Sequence, residues 1–223
     1  MSFNIAIDGP AGAGKSTIAR QVAKKLGYIY VDTGAMYRAM AYYLLMQGVS
    51  PDDADETERV CEFADISIVY DNGEQQVILN GENVTGYLRT EEVGNMASVS
   101  SANPAVRRKL VELQQRMAAV NDVVMDGRDI GTQVLPGAQV KIYLTAGAGI
   151  RALRRYEELK KKGIQGDLEQ IQSDIEQRDY RDMHREISPL VQAEDAVYLD
   201  TSHLSIPEVV EAVLKLCTER QNG

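Results

Sequence analysis

The chain has 223 residues, 44% hydrophobic and 26% charged, enough for one well-buried core with room for a small inserted lobe. A net charge of −9 argues against a nucleic-acid backbone as partner, and no apolar run approaches the roughly 20 residues that span a bilayer. Cys61 and Cys217 lie far apart and His184 and His203 stand alone, so neither a disulfide framework nor a structural metal site is expected. The N-terminus lacks a basic, apolar leader, which makes the cytoplasm the expected location; a monomer is, separately, the simplest expected oligomeric state.

The first apolar run, Asn4–Asp8, reads as a buried strand and leads directly into Gly9-Pro10-Ala11-Gly12-Ala13-Gly14-Lys15-Ser16-Thr17. This is the phosphate-loop pattern G-x-x-x-x-G-K-[ST]. Its glycines let the backbone curl so that successive N–H groups face phosphate oxygens, and the helix that follows adds the partial positive charge of its N-terminus. Lys15 is placed to reach the β- and γ-phosphates, the Ser16 hydroxyl to ligate Mg2+, and Thr17 to stand near the α-phosphate in the first helical turn. Ile18, Val22, Ala23 and Leu26 recur at helical spacing, which supplies the required helix.

Four further segments read as buried parallel strands: Tyr28–Asp32, Asp122–Asp126, Gln139–Leu144 and Ala196–Asp200. Strands alternating with helical patterns predict a doubly wound α/β domain. Ligands in such sheets sit beyond the carboxyl ends of the strands, which puts Asp8, Asp32 and Asp126 on the candidate functional edge. Asp32-Thr33-Gly34-Ala35-Met36-Tyr37-Arg38 and Asp126-Gly127-Arg128-Asp129 both follow strand ends there, each offering an arginine fork to a phosphate.

Between the second and third strands the alternation breaks. Ile66–Tyr70 and Gln75–Leu79 flank Asp71-Asn72-Gly73-Glu74 and predict a hairpin with an Asn-Gly turn, with a further strand near Glu82–Thr85. Helices are expected over Glu91–Val99 and Pro104–Val120, the proline marking a helix start. Phe63–Ser100 reads as an inserted subdomain. Later, a basic helix over 151–162 and a charged helix over Asp167–Arg185, joined by Gly163–Gly166, suit a mobile lid. Arg178, Arg181 and Arg185 are spaced to share one helix face, with Asp182 beside them, and Arg151, Arg154 and Arg155 to share another. Phosphoryl transfer needs such cations around the migrating group.

Together, Asp8–Thr17, Asp32–Arg38, Arg89-Thr90-Glu91-Glu92-Val93, Asp126–Thr132 and Arg178 through Pro189 resemble the bacterial cytidylate kinases, nucleoside monophosphate kinases, and the resemblance runs nearly end to end. It implies a P-loop NTPase-type three-layer α/β fold with a five-stranded parallel sheet. The core would be 1–62, 101–150 and 186–223, the β-hairpin and helical acceptor insert 63–100, and the helical lid 151–185. It also implies transfer of the γ-phosphoryl of Mg-ATP to CMP or dCMP, in pyrimidine nucleotide metabolism.

On this resemblance Gly9–Thr17 hold the ATP phosphates, with Lys15 bridging to the transferred group and Ser16 on Mg2+. Arg38, Arg128 and Arg185 clamp the acceptor phosphate, and Arg178 and Asp182 contact its ribose. Ser98, Arg107 and Asp129 read cytosine. Tyr37 lines the acceptor pocket, with Thr33 and Asp126 counted alongside it, and Arg154 and Arg155 come in over the donor phosphates. Lys15, Arg128, Arg178 and Arg185 are the catalytic set. Asp129 and Ser98 can accept from the cytosine amino group, whereas uracil would face Asp129 acceptor to acceptor and leave buried polar groups unpaired.

The phosphate loop by itself equally fits a kinase for another small acceptor, such as another nucleoside monophosphate or shikimate. The insert and the Asp126–Thr132 motif favour cytidylate. A nucleotide-gated switch would carry Asn-Lys-x-Asp and Asp-x-x-Gly, and neither occurs.

Overall fold

The computed structural model of the protein describes residues 2–71 and 74–222; the expected Asn72-Gly73 turn lies outside the described residues. The chain divides into two compact units, one of Met1–Tyr30 with Asn121–Gly223 and one of Val31–Val120.

The first unit is built on β1 (Asn4–Asp8), β6 (Val123–Gly127), β7 (Val140–Thr145) and β8 (Val197–Asp200). With β2 (Ile29–Asp32), in which the unit boundary falls, they form a five-stranded sheet of order β2-β6-β1-β7-β8. β1 pairs in parallel with β6 on one side, Asp8 opposite Gly127, and with β7 on the other, Asp8 opposite Tyr143. The strands on either side of β1 thus come from far along the chain, the topology in which ligands bind beyond the carboxyl end of such a strand. Ile5, Ala6 and Ile7 are all fully buried, as expected of a strand covered on both faces. α1 (Lys15–Leu26) and α8 (Ile206–Asn222) pack against one another; Ile18, Ala19, Val22, Val209, Val210 and Val213 join Ile5, Ile7, Ile142 and Leu144 in one core. Burying such side chains stabilises the fold by about 1.5–3 kcal/mol each.

The basic helix begins earlier than expected, α6 spanning Ala148–Lys161, and α7 spans Leu168–His184. Asp167 caps α7 by accepting from the Gln170 N–H. Helix α7 stops one residue short of Arg185, whose backbone is extended (φ −67°, ψ 143°). Arg185 therefore leaves the face that helical spacing would have it share with Arg178 and Arg181.

The second unit contains α2 (Thr33–Met46), α3 (Ala54–Cys61), the antiparallel strands β3 (Ile66–Asp71) and β4 (Glu74–Leu79), the short β5 (Glu82–Asn83), α4 (Glu91–Ser100) and α5 (Pro104–Val120). The strand expected near Glu82–Thr85 stops at Asn83, because Thr85 opens a 3-10 turn. This unit is wider than the expected insert of 63–100: α2 packs on α4 and α3 on α5, so the hairpin shares a core with helices on both sides of it in sequence. Met36, Met40, Leu44, Ile66 and Leu110 are buried there.

Candidate active site

The phosphate loop begins where β1 ends. Gly9 has φ +148°, and a Cβ on it would meet the Leu144 carbonyl oxygen at 1.9 Å, so only glycine lets the chain leave β1 against β7. Gly14 caps α1 without any side-chain hydrogen bond. The first-turn N–H groups of α1 have no intrahelical acceptor and the N-cap residue offers no side chain, the arrangement that suits an anion.

Buried charges surround this loop. Lys15 donates from Nζ to the Pro10 carbonyl at 2.8 Å. Burial first, and then the like charge of Arg128, hold its ammonium well below the usual lysine range, while Asp126 and Asp8 pull the other way. Ser16 Oγ donates to Asp126 Oδ2 at 2.8 Å and the Tyr30 hydroxyl donates to Asp126 Oδ1 at 2.8 Å. Asp126, expected with the acceptor pocket, thus stands against the phosphate-loop hydroxyl.

Asp8 accepts from the Ile130 and Gly131 N–H groups at 2.8 and 2.7 Å. Burial pushes its carboxyl up from 3.8 to about 6, although both backbone bonds favour the charged form. These bonds tie the end of β1 to the π-turn Ile130–Val134 that follows Arg128 and Asp129. Arg128 donates from Nε to Asp182 Oδ2 at 2.7 Å, and Arg185 lies 3.5 Å from Asp129. Arg178 is pushed below the usual arginine range by desolvation and then by Arg128. The structure therefore brings together Gly9–Thr17, Asp126, Arg128, Asp129, Asp182 and Arg185 at the carboxyl ends of β1 and β6.

Arg154 and Arg155 are turned to other partners. Arg154 donates to the Thr201 hydroxyl and carbonyl at 3.2 and 2.6 Å, and Arg155 pairs with Glu158 at 2.9 Å on an exposed surface. Of that helix's arginines, it is Arg151 that meets the phosphate loop, donating to the Ala11 carbonyl at 2.7 Å.

The second unit holds the remaining candidates. Asp32 caps α2 by accepting from the Ala35 N–H at 2.8 Å and lies 3.6 Å from Arg38. Thr33 is buried, and the Arg38 Nε is buried without a hydrogen-bond partner, leaving donor capacity for an anion. Arg107 is buried with its guanidinium 5.6 Å from the Tyr37 ring centre, and it donates to the Ser101 carbonyl at 3.2 Å. Ser98 is exposed on α4.

In sequence Tyr30 and Asp179 carry no assigned role, Asp8 stands only on the functional edge, and Arg151 is one of three cations on a helix face with nothing to set it apart from Arg154 and Arg155. Asp179 is part of the Arg178–Pro189 run, yet a carboxylate in a charged helix carries no mark of burial.

A glycine-rich phosphate loop between the central strand and first helix of a parallel sheet, ringed by arginines, defines a P-loop kinase-type α/β protein. A family model described as cytidylate kinase matches residues 5–219. The chain is 52% identical over 220 residues to the cytidylate kinase of Ligilactobacillus salivarius (strain UCC118), covering 99% of this chain and 98% of that one. It is 50% identical over 224 residues to that of Lactiplantibacillus plantarum (strain ATCC BAA-793 / NCIMB 8826 / WCFS1), covering 100% and 97%. The chain belongs to the cytidylate kinase family. Among solved structures, an uncharacterized protein from Eubacterium ventriosum ATCC 27560 shares the fold at a TM-score of 0.53 and 10% identity, over 98% of this chain and 99% of that one. No helix among the described residues is long and apolar enough to cross a membrane.

Proposed function

We propose that this chain transfers the γ-phosphoryl group of ATP to CMP or dCMP, giving ADP and CDP or dCDP. The observation that carries the reading is the turn after β6. Asp126, bonded to the Ser16 hydroxyl, is followed within three residues by Arg128 and Asp129, and Asp8 anchors that turn to the strand that feeds the phosphate loop. The family match over residues 5–219 supports the choice of acceptor.

The loop N–H groups and Lys15 would hold the β- and γ-phosphates, with Thr17 near the α-phosphate. The Ser16 hydroxyl beside the Asp126 carboxylate offers hard oxygen donors. No cluster of three or more His, Cys, Asp or Glu able to hold a metal occurs among the described residues. That donor set fits Mg2+ carried in with nucleotide phosphates, since Mg2+ is commonly bound by one or two carboxylates plus substrate oxygens. Mg2+ there would neutralise charge on the phosphates.

The acceptor is already an anionic phosphate, so alignment and charge stabilisation suffice without a strong general base. Arg128, Arg185 and Arg38 would hold its phosphate, and Arg178 and Asp182 its ribose. Asp182 on Arg128 and Asp129 near Arg185 hold those guanidinium groups in place meanwhile. Asp129, Ser98 and Arg107 would read cytosine, with Tyr37 and Thr33 beside them. Arg154 and Arg155 would reach donor phosphates only after leaving Thr201 and Glu158. Helices α6 and α7 would serve as the lid and the Phe63–Ser100 segment as the acceptor-binding part. A cytoplasmic monomer is the state we propose.

The test is ADP release from Mg-ATP with CMP, dCMP, UMP, AMP and shikimate offered separately. Strong turnover with CMP and dCMP and weak turnover with UMP is expected. Preference for another acceptor would keep a P-loop kinase and discard the cytosine reading. ATP binding without turnover on any acceptor would favour a binding module.

A further inference from the structure

Helices α6 and α7 both hydrogen-bond to one residue of the phosphate loop, Ala11. Its N–H donates to Asp179 Oδ1 of α7 at 2.9 Å, and its carbonyl accepts from Arg151 Nη1 of α6 at 2.7 Å. The same Nη1 lies 2.6 Å from Asp179 Oδ2, and Arg151 Nε donates to the Ala146 carbonyl at 2.7 Å. Ala11, Arg151 and Asp179 are all buried. The contact extends to Gly12 (φ +74°), where a Cβ would come 3.3 Å from the Arg151 Cβ and 3.7 Å from Ile175 Cδ1. Both backbone groups of a phosphate-loop residue are thus held by one buried ion pair drawn from two helices.

A surface pair would be worth little, but a buried pair that satisfies backbone groups as well fixes geometry, because breaking it strands a charge. The Ala11 N–H is committed to a carboxylate, so it is not available to an anion, whereas Gly12 and Gly14, both at positive φ, turn the following backbone into the N-terminus of α1. Preorganised donors stabilise a ligand's charge at no cost of rearrangement.

We infer that Arg151 and Asp179 are positioning residues of the donor site, fixing Ala11 and through it the curl of the phosphate loop that receives the β- and γ-phosphates. The inference rests on the reading that this loop takes ATP. It also makes the inner ends of α6 and α7 part of the donor site.

The experiment measures ADP affinity by calorimetry, together with steady-state KM for ATP and for CMP, on the full chain and on R151K, D179N and D179A. D179A is expected to raise the ADP Kd about tenfold or more, the loss of a charge-assisted hydrogen bond. D179N, which keeps an acceptor for the Ala11 N–H, should raise it less, and R151K, which loses the fork, should also weaken ADP. KM for ATP should rise with the Kd, while KM for CMP stays within about twofold. A role in stability alone would lower the unfolding temperature and leave ADP affinity at 20 °C unchanged; folded R151K and D179N binding ADP as the wild type does would overturn the inference.

If D179A does not fold, R151K and D179N still decide. Hydrogen exchange of the wild type adds a second arm. ADP should slow exchange in 175–182 together with 9–17, and slowing confined to 9–17 would overturn the coupling. A wild type that fails to bind ADP defeats the donor reading and this inference with it. Normal wild-type binding with unaffected variants defeats the inference alone.

Discussion

The two compact units treat polar side chains differently. In the first, Asp8, Lys15, Asp126, Arg151 and Asp179 are buried at or beside the sheet's carboxyl edge, and all but Lys15, which bonds to nearby Pro10, are bonded to residues distant in sequence. In the second, the candidate residues stand on helices held together by apolar packing, and many of their bonds are local. Asp32 caps its own helix and Arg38 faces that same Asp32, whereas Ser98 is exposed. The first arrangement fixes donors and charges before a ligand arrives. The second leaves the Arg38 Nε with capacity to spare. The difference suits a phosphate loop that must be shaped in advance, and it fits the proposal that the second unit carries acceptor-binding residues completed by their ligand.

The largest effect should come from the first unit. Lys15→Ala is expected to lower kcat about a hundred- to a thousandfold, the cost of removing one preorganised cation from the developing charge, with the fold retained in circular dichroism. Near-normal turnover in a folded variant would remove the donor-site role from the buried cluster.

Asp129→Ala tests whether a carboxylate of the first unit also sets specificity. The ratio of kcat/KM for CMP over UMP should fall by at least about tenfold, because a mispaired uracil would no longer meet a buried acceptor. An unchanged ratio would leave cytosine reading to the second unit.

Asp8 gives a sharper contrast through pH, since burial holds its carboxyl near 6 instead of 3.8. Turnover should fall as pH drops through about 6, when protonation weakens the hold on the Ile130 and Gly131 N–H groups. Stability should respond in the opposite sense. The folded protein keeps this proton to higher pH than the unfolded chain. The contribution is therefore fully present below about 4 and is lost as pH rises toward 6. An activity limb near pH 6 that persists in Asp8→Asn would assign it to another group.

The smallest effect belongs to the surface of the second unit. Arg116 pairs with Glu112 at 2.7 Å, with both side chains more than half exposed. Arg116→Ala should change unfolding stability in urea by no more than about 0.5 kcal/mol and leave turnover alone. A larger loss would mean that exposed charge matters there as buried charge does in the first unit.

Much of this was legible in sequence. Asn4–Asp8 is observed with those bounds, the other four sheet strands are shifted by about one residue, and Pro104–Val120 is helical as its proline start suggested. The phosphate loop was readable because fixed spacing and glycine content reflect backbone geometry, which is local. The helix over Ala54–Cys61 was not singled out, since eight residues give a weak period. Arg185 was misplaced because helical spacing says nothing about where a helix stops; here Arg185 turns instead to the Ser188 carbonyl at 2.6 Å.

The sequence by itself determined the phosphate loop, the alternation of strands and helices, and the supply of arginines, because each depends on neighbours along the chain. Only the tertiary structure decided which charges are buried and with whom they pair. Asp179 and Asp182 stand three residues apart on α7 and look alike in sequence. The fold sends one to Ala11 and Arg151 and the other to Arg128. That division follows from how α6, α7 and the β6 turn pack at one sheet edge, where burial makes an unpaired charge too costly to leave unmatched.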